Sequence, residues 1–173
     1  MTLLDDEAWE RCWDDFKRSA WRLETQQTYT MPDEQKDFAR FLAGEPEERD
    51  AEYEEWYDQI RSWAAEGKSI SRVRLVRRPL TDYQRYIFAW GVPANVAAGE
   101  NVRVLDITDE DFGLPAQDFW IFDDSIVVHL NFNPDGTLIS HELIDEPDMA
   151  KYRAWQETAL KYSAPFSEWN ART

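Results

Sequence analysis

Arginine side chains concentrate in and around two predicted strands of a chain whose net charge is −16. They come from "RVRLVRRPLTDYQRY" and "NVRVLD", and they are Arg72, Arg74, Arg77, Arg78, Arg85 and Arg103. A guanidinium group makes paired hydrogen bonds to a carboxylate or a phosphate because its planar fork matches both. Two interpretations follow: a pocket for an anionic ligand, nucleotide-like or phosphate-like, or a structural network of internal ion pairs.

The ion-pair interpretation needs carboxylates near the arginines, and the candidates are Glu24, Asp82, Glu100 and Asp106. It is favoured by the composition, because 35 acidic residues accompany 19 basic ones. In both interpretations we expect the arginines to converge on one concave surface, where Tyr83 offers a ring for stacking. The candidate ligand- or partner-binding residues are Arg72, Arg74, Tyr83, Arg85, Arg103, Glu24 and Glu100.

The two histidines of the chain, His129 and His141, lie on either side of the turn signature "NPDG". A type I turn with residues 134–136 as its loop pairs Asn133 with Thr137. That register places the two histidines directly opposite each other on one face, with Cβ atoms about 5 Å apart. A metal ion would need further ligands, and the neighbouring positions on this face supply none. We therefore favour a partly exposed imidazole pair on the outer face of a hairpin over a metal site, and a metal-dependent hydrolase that uses His129 and His141 ranks third among the functions considered.

The sequence contains no complete catalytic motif. Its six glycines are dispersed, so no glycine-rich phosphate loop is present, and neither HExxH spacing nor an HxK pair occurs. Adjacent acids such as Asp123 and Asp124 are weak evidence in a chain with 35 acidic residues. We expect no cofactor, and we favour a non-enzymatic protein over an enzyme.

The strong negative charge limits the partners of the protein. A pI near 4.4 disfavours direct binding to nucleic acid or to an anionic membrane and leaves a basic protein as the favoured partner. Acids are densest between Glu45 and Asp58, where eight of them accompany one base, Arg49. This run is either a solvated helix face or a docking face for a basic partner. The absence of a signal-peptide pattern and of a long apolar stretch predicts a soluble cytoplasmic protein.

Periodic patterns indicate the elements that would position these residues. Apolar residues at three- and four-residue spacing predict helices near residues 9–16, 32–44 and 47–67, and later at residues 81–90, where Thr81 is the N-cap, and 146–170. Alternating patterns predict strands in "SISRVRLV", "NVRVLDI", "FWIF", "SIVVHLNF" and "TLISHELI". The predicted fold class is α+β, with N-terminal helices and a C-terminal helix packed on a mixed or antiparallel sheet of about five strands.

A chain of this length, 173 residues, is expected to form one domain covering residues 1–173. Its predicted parts are a helical part (1–67), a sheet part with one inserted helix (68–145) and a terminal helix (146–170). In the helical part, Trp56, Tyr57, Ile60 and Trp63 form an aromatic and apolar stripe at helical period. We expect this stripe to be buried against the sheet.

Four segments resemble an uncharacterised actinobacterial family, a domain of unknown function. They are "RSAWRLETQQTY", "RVRLVRRPLTDYQRY", "NVAAGENVRVLD" and "DFWIFDD…GTLISHELIDEP", and the resemblance covers about residues 9–166. The shared pattern includes Arg22, Leu23, Glu24, Tyr29, Arg72, Arg74, Pro79, Tyr83, Arg85, Gly99, Glu100, Arg103, Asp118, Phe119 and Asp123. Members of the family resemble small stand-alone proteins often encoded beside helix-turn-helix regulators, which implies a regulatory role by association.

The last segment is also similar to the C-terminal half of phospholipase-D-like regulatory domains, where a strand ends at an acidic turn. The catalytic His and Lys of those enzymes have no counterpart here, so this resemblance implies a non-catalytic relative. Together, these observations predict a non-enzymatic regulatory or interaction protein that acts with a DNA-binding transcription regulator. The alternative is a binding protein or enzyme that holds a small anionic ligand in an arginine-lined pocket.

Overall fold

The computed structural model describes residues 1–49 and 51–172, and within them the chain forms an eight-stranded sheet with helices on both faces. The strands are β1 (Thr2–Leu4), β2 (Ser19–Glu24), β3 (Ser69–Val76), β4 (Asn101–Asp106), β5 (Asp118–Phe122), β6 (Ile126–Phe132), β7 (Leu138–Leu143) and β8 (Ala164–Pro165). The helices are α1 (Asp6–Asp15), α2 (Gln35–Leu42), α3 (Ala51–Ala65), α4 (Asp82–Ala89), α5 (Gly91–Ala98), α6 (Met149–Tyr162) and α7 (Phe166–Ala171), and a 3-10 turn, Pro32–Glu34, precedes α2.

The sheet is mixed, and its strand order is β1-β7-β6-β5-β2-β3-β4-β8. The central strands β2, β3 and β4 run parallel to one another, and the other neighbours pair antiparallel. The α+β class with a mixed sheet is therefore confirmed. The expected number of about five strands is too low, because two edge strands, of three and two residues, are too short to show a pattern, and β2 lies in a segment expected to be helical.

Strand β2 corrects the description of residues 1–67 as a helical part. In "SAWRLE" the apolar Trp21 and Leu23 alternate with the charged Arg22 and Glu24. Such alternation normally indicates one buried and one solvated face, but both Leu23 and Glu24 are buried. The strand lies at the centre of the sheet because its charged residues are paired with charges on β3 and β5, as described below.

The two faces of the sheet have separate cores. On one face, Trp21, Leu23, Val73 and Phe119 belong to a cluster that contains Tyr152 of α6. On the other, α1 and α3 cover β5 and β6, while α4 and α5 cover the edge around β3 and β4. No helix among the described residues is long and apolar enough to cross a membrane.

Helix α3 buries most of its predicted stripe. Tyr57, Ile60 and Trp63 are buried, whereas Trp56 is only half-buried. Of the three buried residues, only Trp63 packs with the sheet, in a cluster that contains Ile70 and Trp120, as expected. Tyr57 and Ile60 instead pack with Ala94 and Ala98 of α5, which corrects the expectation that the whole stripe lies against the sheet. The ring of Trp63 stacks on that of Trp13 from α1, with centroids 5.3 Å apart. Asp50, one of the acids counted before this helix, lies outside the described residues.

The sequence signals around α4 and α5 are also found in the structure. Thr81 caps α4: its hydroxyl accepts from the backbone N–H of Gln84, and the Gln84 side chain accepts from the N–H of Thr81. The next segment forms α5 and ends at Gly99, whose φ of 119° favours glycine. These features turn the chain back so that Glu100 enters the sheet region directly before β4.

Truncation of Trp63 tests the packing of α3. We expect Trp63→Ala to lower the free energy of unfolding by about 3–5 kcal/mol, the usual effect of removing a large buried ring. The exposed Gln59 lies on the same helix, and Gln59→Ala should change that free energy by less than about 0.5 kcal/mol. Urea unfolding followed by circular dichroism measures both. Equal, small effects would show that the helix does not pack as described.

Candidate functional site

Six charged side chains meet on the sheet face that α1 and α3 cover, and we call this group the ion-pair cluster: Arg22, Glu24, Arg72, Arg74, Glu100 and Asp118. The strand register brings them together. Arg22 and Glu24 on β2 lie beside Arg72 and Arg74 on β3, while β5 begins at Asp118. Because residues two apart on a strand share a face, both charged pairs point to the same side.

Glu24 is the centre of the cluster. Its Oε1 accepts a hydrogen bond from Arg72 Nη1 at 2.6 Å, and its Oε2 forms an ion pair with Arg74 Nη1 at 2.5 Å. Arg72 also donates through Nε to Glu100, whose side chain is fully buried. One guanidinium group therefore joins carboxylates from β2 and from the segment before β4, which ties the three parallel strands together.

Arg22 and Asp118 extend the cluster toward β5. Arg22 Nη2 lies 3.2 Å from Asp118 Oδ2, and its Nη1 lies 3.5 Å from Glu24 Oε1. Asp118 also accepts from the hydroxyl of Tyr29 at 2.6 Å and from the backbone N–H of Thr25 at 2.8 Å. These bonds fix the loop that follows β2 against the start of β5.

Mutual pairing keeps the central groups charged. Burial alone would raise the pKa of Glu24, but the positive charges of Arg74, Arg22 and Arg72 outweigh it and lower that pKa to about 2. Burial would lower the pKa of Arg72, yet Glu100 and Glu24 raise it. Near neutral pH, Glu24 is therefore an ionised carboxylate and Arg72 is a cation.

A cleft opens above the ion-pair cluster and has two lobes that share Arg72, Arg74, Trp56, Tyr83 and the acids Asp33 and Glu34. The tryptophan lobe, of about 420 Å³, is lined in addition by Trp9, Trp13, Arg22, Glu24, Tyr29, Met31, Trp120, Leu130, Phe132, Leu138 and His141. The tyrosine lobe, of about 300 Å³, is lined in addition by Glu52, Tyr53, Tyr57, Tyr86, Ile87, Gly91, Val92 and Asn95. The cleft thus has aromatic walls and a charged floor.

Glu34 stands where the two lobes join. Tyr83 donates its hydroxyl to Glu34, with Oε2 at 2.9 Å and Oε1 at 3.3 Å. Burial raises the pKa of Glu34, and the hydrogen bond from Tyr83 and the charge of Arg74 only partly oppose this. The carboxylate is therefore poorly solvated and gains from any additional positive partner.

The structure brings together five of the seven candidate residues. Glu24, Glu100, Arg72 and Arg74 belong to the ion-pair cluster, and Tyr83 lines both lobes of the cleft. All the guanidinium groups of the cluster have carboxylate partners, so the geometry matches the ion-pair interpretation of these residues.

Arg85 and Arg103 lie elsewhere, which corrects their inclusion in the candidate set. Arg85 projects from α4 with its side chain 53% exposed and pairs with Asp82. Arg103 occupies the position between Val102 and Val104 on β4, so it points to the other face, where Nη2 donates to the backbone oxygen of Ser163 at 2.7 Å. The periodicity of α4 directs Arg85 away from the cleft. The alternation of side chains along β4 directs Arg103 away from it.

The candidate set omits two charged members of the cluster, Arg22 and Asp118, which enter only through the family resemblance. It also omits the three acids of the cleft, Asp33, Glu34 and Glu52. The alternation in "SAWRLE" is the signal that could have found Arg22, because it puts Arg22 and Glu24 on one strand face. No comparable local pattern marks Asp118 or Glu34, whose roles depend on tertiary contacts.

The histidine pair does not exist, which corrects the predicted hairpin. The turn itself is as expected, since the backbone N–H of Asn133 donates to the oxygen of Thr137. A bulge next to the turn then shifts the register, so His129 pairs with Glu142, and His141 with Leu130. A one-residue shift reverses the face of every following side chain.

The two imidazoles consequently have different environments. His129 Nε2 lies 2.8 Å from the hydroxyl of Tyr152 on α6. His141 stacks on Trp9 of α1, with ring centroids 4.1 Å apart, and burial lowers its pKa to about 4. They cannot share a metal ion, and the described residues contain no group of three or more His, Cys, Asp or Glu side chains that could hold one.

With this geometry in place, comparison with known proteins identifies the family. The model of a domain of unknown function, DUF6879, matches residues 7–171. The chain belongs to this family. The resemblance to an uncharacterised family is thereby confirmed, and the family description assigns no activity. A comparison with curated proteins finds no match.

A solved structure is similar in fold. It is the crystal structure of a phospholipase D family member, Nuc from Salmonella typhimurium, with a TM-score of 0.50 and 14% sequence identity. The likeness covers 91% of this chain and 90% of that chain. The shared fold thus extends well beyond the C-terminal segment that suggested phospholipase-D-like domains, and at this identity it shows the fold alone.

Removal of Arg72 tests the ion-pair cluster. We expect Arg72→Ala to lower the free energy of unfolding by about 3–5 kcal/mol, because Glu24 and Glu100 remain buried with less compensation. Arg85→Ala removes an exposed pair and should cost less than about 1 kcal/mol. Chemical denaturation at neutral pH compares the two variants. A small effect of Arg72→Ala would mean that the carboxylates are solvated.

Proposed function

We propose that the protein is a non-enzymatic interaction protein that binds a basic protein partner at the cleft. The charge of the cleft carries this proposal. The arginines of its floor are neutralised by carboxylates of the ion-pair cluster, whereas Asp33, Glu34 and Glu52 form no ion pair within the described part of the chain. The cleft is therefore negative overall and complements a positive surface.

A DNA-binding transcription regulator is a partner of this kind, because the surface that contacts nucleic acid is basic. An acidic protein that occupies such a surface would compete with DNA. The net charge of −16 also favours a basic protein partner, because it repels phosphate backbones and attracts basic proteins over long range.

The protonation state of Glu24 supports a structural role for the ion-pair cluster over proton transfer by this carboxylate. A general acid or base works best when its pKa is near the working pH. Glu24 has a pKa of about 2 and is held by three arginines, so it does not exchange a proton near neutrality. The ion-pair cluster is suited to fixing geometry and electric field at the floor of the cleft.

A charge reversal at the cleft tests the proposal. Asp33 is exposed and lines both lobes, while Glu55 is exposed on α3 outside the cleft lining. With the protein as bait in a cell lysate, we expect a basic protein to be captured by the wild type and by Glu55→Lys and lost with Asp33→Lys. Calorimetry with the purified captured protein should show binding to the wild type and to Glu55→Lys and none to Asp33→Lys.

Two results would contradict the proposal. Equal loss of capture in both variants would show that only net charge matters and that the cleft is not the contact site. The isolated protein should not bind duplex DNA. Direct binding with an affinity that falls steeply with salt would show that the partner is nucleic acid and not a basic protein.

The tryptophan lobe supports a second candidate function, the binding of a small anionic ligand. Arg22 Nε and Arg74 Nε are buried, and neither has a hydrogen-bond partner among the described residues. Both are donors that line this lobe, and a buried donor without a partner is unfavourable. An acceptor group of a ligand would satisfy them.

Thermal shift separates this candidate from the first. Nucleotides or phosphorylated metabolites at about 100 times their dissociation constant should stabilise the protein by about 2.7 kcal/mol and raise its melting temperature. Arg74→Lys should abolish the shift because lysine has no Nε–H fork. An unchanged melting temperature across such ligands would exclude the second candidate for these compounds.

A further inference from the structure

The tyrosine lobe of the cleft combines aromatic rings with acids that have no basic partner. Tyr53, Trp56, Tyr57, Tyr83 and Tyr86 line it, together with Asp33, Glu34 and Glu52. Among the described residues none of these three acids forms an ion pair, although Tyr83 donates a hydrogen bond to Glu34. Aromatic rings attract cations through the negative faces of their π systems, and nearby carboxylates strengthen the attraction.

The arginines at the base of this lobe do not reverse its charge. Arg72 is neutralised by Glu24 and Glu100, and Arg74 is paired with Glu24. An incoming cation therefore meets the fields of Asp33, Glu34 and Glu52 rather than free guanidinium groups. An ionised carboxylate offers about four lone-pair sites, so Glu34 can accept from a bound cation as well as from Tyr83.

We infer that the tyrosine lobe takes a single organic cation, the ammonium or guanidinium head of a lysine or arginine side chain. This inference rests on the proposed function and specifies which part of a basic partner is recognised. The partly buried position of Glu34 supports it, because a poorly solvated carboxylate gains more from a positive partner than an exposed one does.

Three probes test the inference by calorimetry on the full chain. They are a short glycine peptide with blocked ends and one central lysine, the same peptide with acetyl-lysine, and butylammonium. We expect the lysine peptide to bind and the acetylated peptide to bind at least about tenfold more weakly, because acetylation removes the charge. Tighter binding of the peptide than of butylammonium identifies a protein side chain as the source of the cation. Equal binding would identify a free amine as the ligand and would contradict the assignment of the lobe to a protein side chain.

Charge-neutralising variants locate the site. Glu34→Gln keeps an acceptor for the Tyr83 hydroxyl, and we expect it to weaken lysine-peptide binding by about tenfold. Glu55→Gln changes the net charge equally but lies outside the lobe, so it should alter the affinity by less than about twofold. If Glu34→Gln melts far below the wild type, Glu52→Gln at the same lobe replaces it and should also weaken binding.

The outcomes that overturn the inference are distinct from those that overturn the proposed function. Equal binding of the lysine and acetyl-lysine peptides, or equal effects of Glu34→Gln and Glu55→Gln, would refute the cation site. If Asp33→Lys still abolished capture of a basic protein in that case, the proposed function would stand with a different mode of contact. If neither peptides nor a basic protein bound, both would fail.

Discussion

The interaction between Glu24 and the guanidinium groups of Arg72 and Arg74 constrains the rest of the structure. Glu24 and Arg72 are buried and Arg74 is partly buried, and burial of an unpaired charge costs several kcal/mol. The three groups therefore have to meet, which fixes β2 and β3 in their parallel register with Glu24 beside Arg74. A slip of one residue would bring the charged side chains to the apolar face of Trp21 and Val73.

The same interaction explains the shape of the functional surface. Aromatic residues of α1 and α3 pack around the ion-pair cluster, and the cleft remains above it. Trp120 lies beside both Arg72 and Arg22, whose guanidinium carbons are 5.6 and 5.8 Å from its ring centroid. Because the floor is fixed and internally neutral, the acids at the rim determine which ligands the cleft attracts. A structural network and a binding site thus share the same residues, and these two roles are compatible.

Another cavity, of about 540 Å³, lies where β2, β3 and β4 end. Ligands of open parallel sheets commonly bind at that end of the strands. Its basic group, Arg77, however, donates to the backbone oxygen of Ile107, and the side chain of Gln27 bridges the neighbouring backbone. These bonds hold the strand ends together, whereas the cleft combines aromatic walls with acids that form no ion pair among the described residues.

Local patterns predicted most of the helices, the turn at Asn133 and the strands that flank it, because periodicity and turn chemistry act over a few residues. The single terminal helix expected over residues 146–170 was wrong, because α6 ends at Tyr162 and strand β8 separates it from α7. The convergence of Arg72 and Arg74 with Glu24 and Glu100 was also foreseen, since charges beside buried strands need partners. The bulge in β7 was not, and its effect on His141 shows how one inserted residue reverses a face. Strand β2 was missed because pairing buries a charged strand face that ordinarily indicates solvent.

The ion-pair cluster depends most directly on the ionisation of Glu24. Carbon-detected NMR can follow its side-chain carboxyl as the pH is lowered. The predicted pKa is about 2, well below the usual 4.5. Because this pKa is lowered in the folded state, the stability that Glu24 contributes should be present above pH 4.5 and lost as the pH falls toward 2. A measured value near 4.5 would mean that Glu24 is solvated and that the ion-pair cluster does not hold the sheet.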